Sequence, residues 1–238
     1  MSKFDVVDLG TKHGNAIQTF LRLVQNRDNK KVLRVLSELN FDPSKIQKNL
    51  CLGVERPEAE SYRNIVEKKG YKFLTLDLSS SLALSTLPVS RVYLLWHFLE
   101  HLPDKESSKQ AVQSALSQST GLVWCRLPSF QQDDQTGEGA LRKLGLRFSW
   151  THWRGHTSFW LVEDCVNAIN EWGLQNPKRK YDILVKPCDY IKDTADKRVV
   201  PIGAPIDTNE YARSQGPKSF KTFQPKLAAA WEVIVRFQ

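Results

Sequence analysis

Long hydrophobic runs are missing from this sequence: no apolar stretch approaches the ~18 residues a membrane span requires, and none has the layout of a signal peptide. Met1 stands almost against the first predicted strand, so the expectation is a cytoplasmic protein with no membrane partner. Cysteine is sparse as well. Cys51, Cys125, Cys165 and Cys188 lie far apart and form no C-x-x-C pair, which argues against a structural zinc site or a dithiol redox centre. Reduced, mostly buried thiols are the expectation. There is no internal repeat or low-complexity tract, and neither a helix-turn-helix nor a zinc-finger pattern accompanies the net charge of +8. That charge admits a nucleic-acid partner through counterion release without favouring one. What remains is ordinary: 238 residues, 41% hydrophobic and 25% charged, enough for one sizeable α/β domain or for such a domain with a smaller appendage.

The informative stretch comes early. Phe4-Asp5-Val6-Val7-Asp8-Leu9 is an apolar run that includes Asp8, Gly10 and Gly14 punctuate a turn, and Ile17, Phe20, Leu21, Leu23 and Val24 recur at helical spacing. Strand, tight loop and helix in that order open a βαβ unit, whose ligands gather at the carboxyl ends of the strands. The dinucleotide fingerprint asks for glycine at the first, third and sixth loop positions; only Gly10 satisfies it, with Lys12 and Asn15 at the other two. Asp-x-Gly-x-x-x-Gly fits instead, through Asp8, Gly10 and Gly14. This resembles motif I of the class I S-adenosylmethionine-dependent methyltransferases. The resemblance implies that Asp8, Gly10, Thr11 and Gly14 surround the methionine part of an S-adenosyl-L-methionine cofactor.

Two further acid-terminated strands follow. Leu50 to Glu55 reads as the second strand, with a helix at residues 31 to 40 accounting for the long separation from Asp8. One carboxylate can accept hydrogen bonds from two vicinal hydroxyls, so Glu55 is a candidate ribose ligand, with a solvated strand-end carboxylate as the equal alternative. After a helix over residues 58 to 69, Tyr71 to Leu76 reads as the third strand and ends at Asp77. Within the family, the third acid or its neighbour faces the adenine, a place that Asp77 and Leu78 take here. A turn-forming aspartate before Ser79 is the competing account.

Arg91 to Trp96 is the next strand, and it runs into His97-Phe98-Leu99-Glu100-His101-Leu102-Pro103-Asp104. His-x-x-Glu-His has the letters of the inverted zinc-peptidase motif, but that motif needs a sustained helix. A preceding strand and Pro103 leave scarcely one turn, so no metal is expected. The same segment resembles the methyltransferase stretch after the fourth strand, often His-x-Leu-Glu-His-Leu/Val-x-Asp. The resemblance sets Trp96 among the cofactor contacts and His97 and, less directly, His101 on the acceptor side. Histidine is suited to taking an acceptor proton because its unperturbed pKa lies near neutrality; packing within the fold is the alternative.

Asp104 should cap a helix through Gln118, and Thr120 to Leu127 reads as a fifth strand, followed by a polar loop at 131 to 137 over the site and a helix at 138 to 144. Residues 146–153 and 156–162, aromatic-rich segments about Gly155, suggest the antiparallel hairpin that closes the family's sheet. The expectation is therefore an α/β, Rossmann-like, mostly parallel seven-stranded sheet with an antiparallel hairpin, over residues 1–173. Residues 174–238 are expected to form a basic, loop-rich C-terminal extension on or beside it, with eleven Lys or Arg against six Asp or Glu from 174 to 226. A helix at 163 to 172 precedes the extension, and a short strand at 181 to 185 and an apolar stretch at 227 to 237 are the regular elements expected within it. The function implied is methyl transfer to an unidentified small molecule, sugar or macromolecule. A non-catalytic binding protein on the same fold is the runner-up, because Lys12 would obstruct or repel a sulfonium. Absence of an Asn-Pro-Pro-Tyr motif weighs against base methylation.

Overall fold

The computed structural model describes residues 4–25, 46–130, 138–151, 155–204 and 222–238. The helix expected at 31–40 and the loop at 131–137 lie outside the described residues. β1 (Phe4–Leu9), β2 (Cys51–Glu55), β3 (Lys72–Thr75), β4 (Ser90–Trp96) and β5 (Ser119–Pro128) pair in parallel in the order β3-β2-β1-β4-β5. β9 (Thr222–Phe237) then runs antiparallel to β5, and β7 (Tyr181–Asp193) antiparallel to β9, completing seven strands in the order β3-β2-β1-β4-β5-β9-β7. Helices α1 (Asn15–Gln25), α2 (Arg63–Lys68), α3 (Ser81–Ser85), α4 (Lys105–Gln118), α5 (Glu138–Arg142) and α6 (Val162–Gln175) occupy the connections.

Central parallel strands are covered on both faces, and their sequences show it: all six residues of β1 are buried. Successive side chains point to opposite faces. Val6, Val92, Leu94, Trp96 and Trp124 thus pack under α1 through Ile17, Phe20 and Leu21, with the Phe20 and Trp124 rings edge-on at 6.1 Å. Val7, Tyr93, Leu95, Val123 and Cys125 face the opposite layer of α3, α4 and α6, where Ala111, Val112, Ala115, Ile169 and Trp172 meet them. Each large side chain so buried contributes roughly 1.5–3 kcal/mol. Asp104 caps α4 as expected, its carboxylate accepting from Ser107 N at 2.7 Å.

The hairpin that closes the sheet is not the one expected at 146–162. Among the described residues of that stretch only Leu146–Phe148 (β6) is a strand, and it pairs with Val199–Pro201 (β8) in a separate two-stranded sheet. Phe148, Val199, Ile191, Phe223 and Leu227 form a small third core beneath it. Of the aromatic residues that suggested a hairpin, Trp150 stacks on Phe148 at 4.5 Å and donates through Nε1 to Ser129 O at 3.1 Å. The closing hairpin is instead β7 and β9, drawn from the region expected to be a loop-rich extension. A boundary at residue 173 would cut these two strands from the sheet they complete.

Candidate active site

The loop after β1 is tied to β2 by its backbone. Gly10 N and Thr11 N donate to Val54 O at 2.9 and 3.3 Å, and Lys12 N donates to Glu55 Oε2 at 3.0 Å. Gly10 adopts φ +76° with the Phe98 ring so close that a Cβ would sit 2.6 Å from it; Gly14 adopts φ +67°. Lys12, at φ +43°, holds the same left-handed conformation with a side chain that disfavours it. The glycines are thus required by the turn itself.

Behind this loop sits Asp8, 1% exposed, with neither carboxylate oxygen meeting a donor in hydrogen-bonding geometry. Burial pushes its pKa up to about 8, the adjacent Thr11 hydroxyl opposing the shift and the Glu55 carboxylate adding to it. Glu55 is itself buried, and its second oxygen accepts from Arg56 N at 3.0 Å. Asp77 is exposed and accepts from Ser79 N at 3.0 Å and Ser79 Oγ at 2.6 Å, an Asx turn whose hydrogen bonds hold its carboxyl below the ordinary range. Leu78 is fully buried in the core.

Beside the loop, at the carboxyl ends of β1, β4 and β5, opens a cavity of about 570 Å³, a volume in the range of small-molecule sites. Five expected site residues line it: Gly10, Thr11, Trp96, His97 and His101. Asp8, Gly14, Glu55, Asp77 and Leu78 do not. The far wall comes from Arg126, His156, Asp189 and Arg198, none of which the sequence singled out. Asp189 joins two of them, with its carboxylate 3.6 Å from Arg126 and 2.8 Å from Arg198.

His97 is the hinge between β4 and this wall. Its N donates to Arg126 O at 2.8 Å, extending the β4–β5 ladder, and its φ of +52° turns the chain out of the sheet. The side chain is 47% exposed, with Nδ1 3.6 Å from Glu100 Oε1. A single turn, Leu99–His101, follows as the sequence implied. Residues 155–158 are clipped to it: Thr157 N and Ser158 N both donate to Glu100 O, at 2.9 and 3.1 Å, and Thr157 Oγ1 donates to Leu102 O at 2.6 Å. This brings His156 against Glu100 and His101, the three offering one ligand atom each within 4.8 Å of one another. Burial pushes His156 below the usual imidazole pKa, against the Glu100 carboxylate, which favours its protonation.

No protein-family model and no curated protein matches this chain. Solved structures do. An O-methyltransferase family protein from Burkholderia thailandensis superposes with a TM-score of 0.54 at 11% identity, over 98% of this chain and 50% of that one. The small RNA methyltransferase HEN1 superposes with a TM-score of 0.54 at 12% identity, over 100% of this chain and 23% of that one. This chain has the class I S-adenosylmethionine-dependent methyltransferase fold. It spans half or less of the length of these two methyltransferases. Among the described residues no helix is long and apolar enough to cross a membrane.

The methyltransferase cofactor fits the cavity at one end. Thr11 Oγ1 is buried without a hydrogen-bond partner beside the glycine loop, and the Lys12 side chain lines the cavity, where an ammonium suits the methionine carboxylate. Glu100 lines the same cavity, where a carboxylate suits a cationic group, whereas Asp189 is paired with Arg126 and Arg198. At the ribose end, Glu55 has both oxygens engaged by backbone N–H groups.

Proposed function

We propose that this chain transfers a methyl group from S-adenosyl-L-methionine to an acceptor held in the cavity between the glycine loop and the His97–His101 turn. The observation that carries this reading is the placement of that cavity: it opens at the carboxyl ends of β1, β4 and β5 and is lined by both segments that resemble methyltransferase motifs. When bound, the cofactor supplies an electrophilic methyl group on sulfur. Gly10 and Thr11 let the backbone approach it, and the Lys12 ammonium pairs with its carboxylate. His97, half exposed and oriented by Glu100, takes the proton that the acceptor sheds. Alignment of acceptor and methyl by the cavity walls supplies much of the remaining acceleration.

A second reading, a non-catalytic binding protein on this fold, is favoured by the engagement of Glu55 and by the distance of Asp77 from the cavity lining. Calorimetry separates the two. Binding of S-adenosylmethionine and S-adenosylhomocysteine is expected, with loss of affinity in Lys12→Glu. Failure of both to bind at millimolar concentration overturns the methyltransferase reading.

A further inference from the structure

We propose that Glu100, His101 and His156 form a binding site for one divalent transition-metal ion, and that this ion takes the acceptor through a hydroxyl oxygen. The choice of acceptor rests on the methyl-transfer reading; the metal site does not.

Three features point to a ligand site rather than a packing cluster. First, the ligand atoms of the three residues lie within 4.8 Å of one another, so that small side-chain adjustments bring all of them onto one ion. Second, both imidazoles are set in the same tautomer. His101 Nδ1 lies 2.7 Å from Gly155 O, and His156 Nδ1 lies 3.0 Å from Trp150 O. A carbonyl oxygen only accepts, so each Nδ1 carries the proton, and Nε2 is the atom of each ring suited to a metal. Histidines that bind metals are oriented in this way by backbone carbonyls. Third, the Glu100 side chain is 2% exposed, borders the cavity, and leaves Oε2 buried without a hydrogen-bond partner. A buried carboxylate oxygen with no donor is costly, and a cation is a natural partner for it.

The fold builds this arrangement from a distance. Glu100 and His101 stand on the single turn after β4, and His156 is delivered by the segment whose N–H groups of Thr157 and Ser158 are bound to the Glu100 carbonyl. Ser108 Oγ donates to Leu99 O at 2.9 Å, anchoring the turn to α4. Two imidazoles and one carboxylate suit manganese, iron, cobalt or zinc, and leave coordination positions open towards the cavity. A hydroxyl in such a position is acidified by the ion, as metal-bound water is. Its oxygen then forms the new bond to the methyl carbon, its proton passes to His97, and the methyl–sulfur bond breaks with the electron pair remaining on sulfur. An amine acceptor would gain nothing from the ion, since metal coordination occupies the lone pair it needs.

The test uses the full, untagged chain stripped of metal by chelation. Titration with Co²⁺ is expected to give one equivalent bound, read by calorimetry and by the visible absorption of the coordinated ion. Glu100→Gln keeps the size of the side chain and is expected to weaken Co²⁺ at least about tenfold; His156→Ala is expected to abolish the absorption. S-adenosylhomocysteine affinity and the melting temperature of each variant show whether it is folded. Failure of Co²⁺, Mn²⁺ and Zn²⁺ to bind the folded wild-type chain at millimolar concentration overturns the site, as does unchanged affinity in both variants. Cofactor binding is measured separately on the metal-free protein, so loss of the metal proposal and loss of the methyl-transfer reading are distinguishable.

Discussion

The two sides of the sheet's carboxyl edge use their acids differently. On the β1–β2 side, Asp8 is sealed under the loop and Glu55 is occupied by the N–H groups of Lys12 and Arg56. On the β4–β5 side, Glu100 borders the cavity among three histidines with Oε2 unpartnered, while the neighbouring Asp189 is held by Arg126 and Arg198. One side spends its acids on holding a backbone shape, and the other leaves the Glu100 carboxylate available to a ligand. A strand-end carboxylate is therefore a poor guide to function until its hydrogen-bond partners are known.

Substitutions on the loop side test this contrast most severely. Gly10→Val forces a branched side chain into a left-handed residue and into the Phe98 ring. We expect a loss of about 3 kcal/mol or more in urea unfolding, with cofactor binding abolished. Glu55→Ala removes two charge-assisted hydrogen bonds to backbone and is expected to cost about 2 kcal/mol, read the same way. A Glu55 that acts only as a ribose ligand would lose cofactor affinity with no loss of stability, and the contrast would fail.

Asp8 sharpens the comparison through pH. Its pKa, raised from 3.8 to about 8, means the folded chain holds a proton that the unfolded chain releases above pH 3.8. The contribution of Asp8 to stability is present below that pH and declines as pH rises towards 8, with a slope of up to about 1.4 kcal/mol per unit. Asp8→Asn removes this slope, so the variant should gain on the wild type in unfolding midpoints measured from pH 5 to pH 8. The smallest effect concerns Lys12. Lys12→Gly relieves its positive φ and should add up to about 1 kcal/mol of stability while weakening S-adenosylmethionine. Tighter binding in that variant would mean that the ammonium repels the sulfonium instead of pairing with the carboxylate.

Much of the parallel half of the sheet was legible in sequence because strands buried on both faces read as uninterrupted apolar runs, as Val92 to Trp96 does. The antiparallel half was not. β7 continues through Pro187 and a run of polar residues, so its sequence breaks the alternation after Val185. β9 pairs with residues far away in the chain, such as Trp231 with Leu127, and its apolar run shows that it is buried without showing where. At the site, the glycine loop and the His97–His101 turn were visible because each is local. His156 was not, since only hydrogen bonds across more than fifty residues join it to Glu100. The bonds that occupy Glu55 were equally invisible, because sequence does not show where backbone N–H groups point.

The placement of β9 also governs how the chain must assemble. It lies between β5 and β7 yet follows both in sequence, so neither can gain its neighbour until β9 has been made. A growing chain therefore carries an unpaired edge on β5 and a lone β7 through much of its synthesis, a state in which strand edges invite the wrong pairing. Conditions that slow elongation over the codons of β9 should weigh on the yield of folded protein more than those acting earlier.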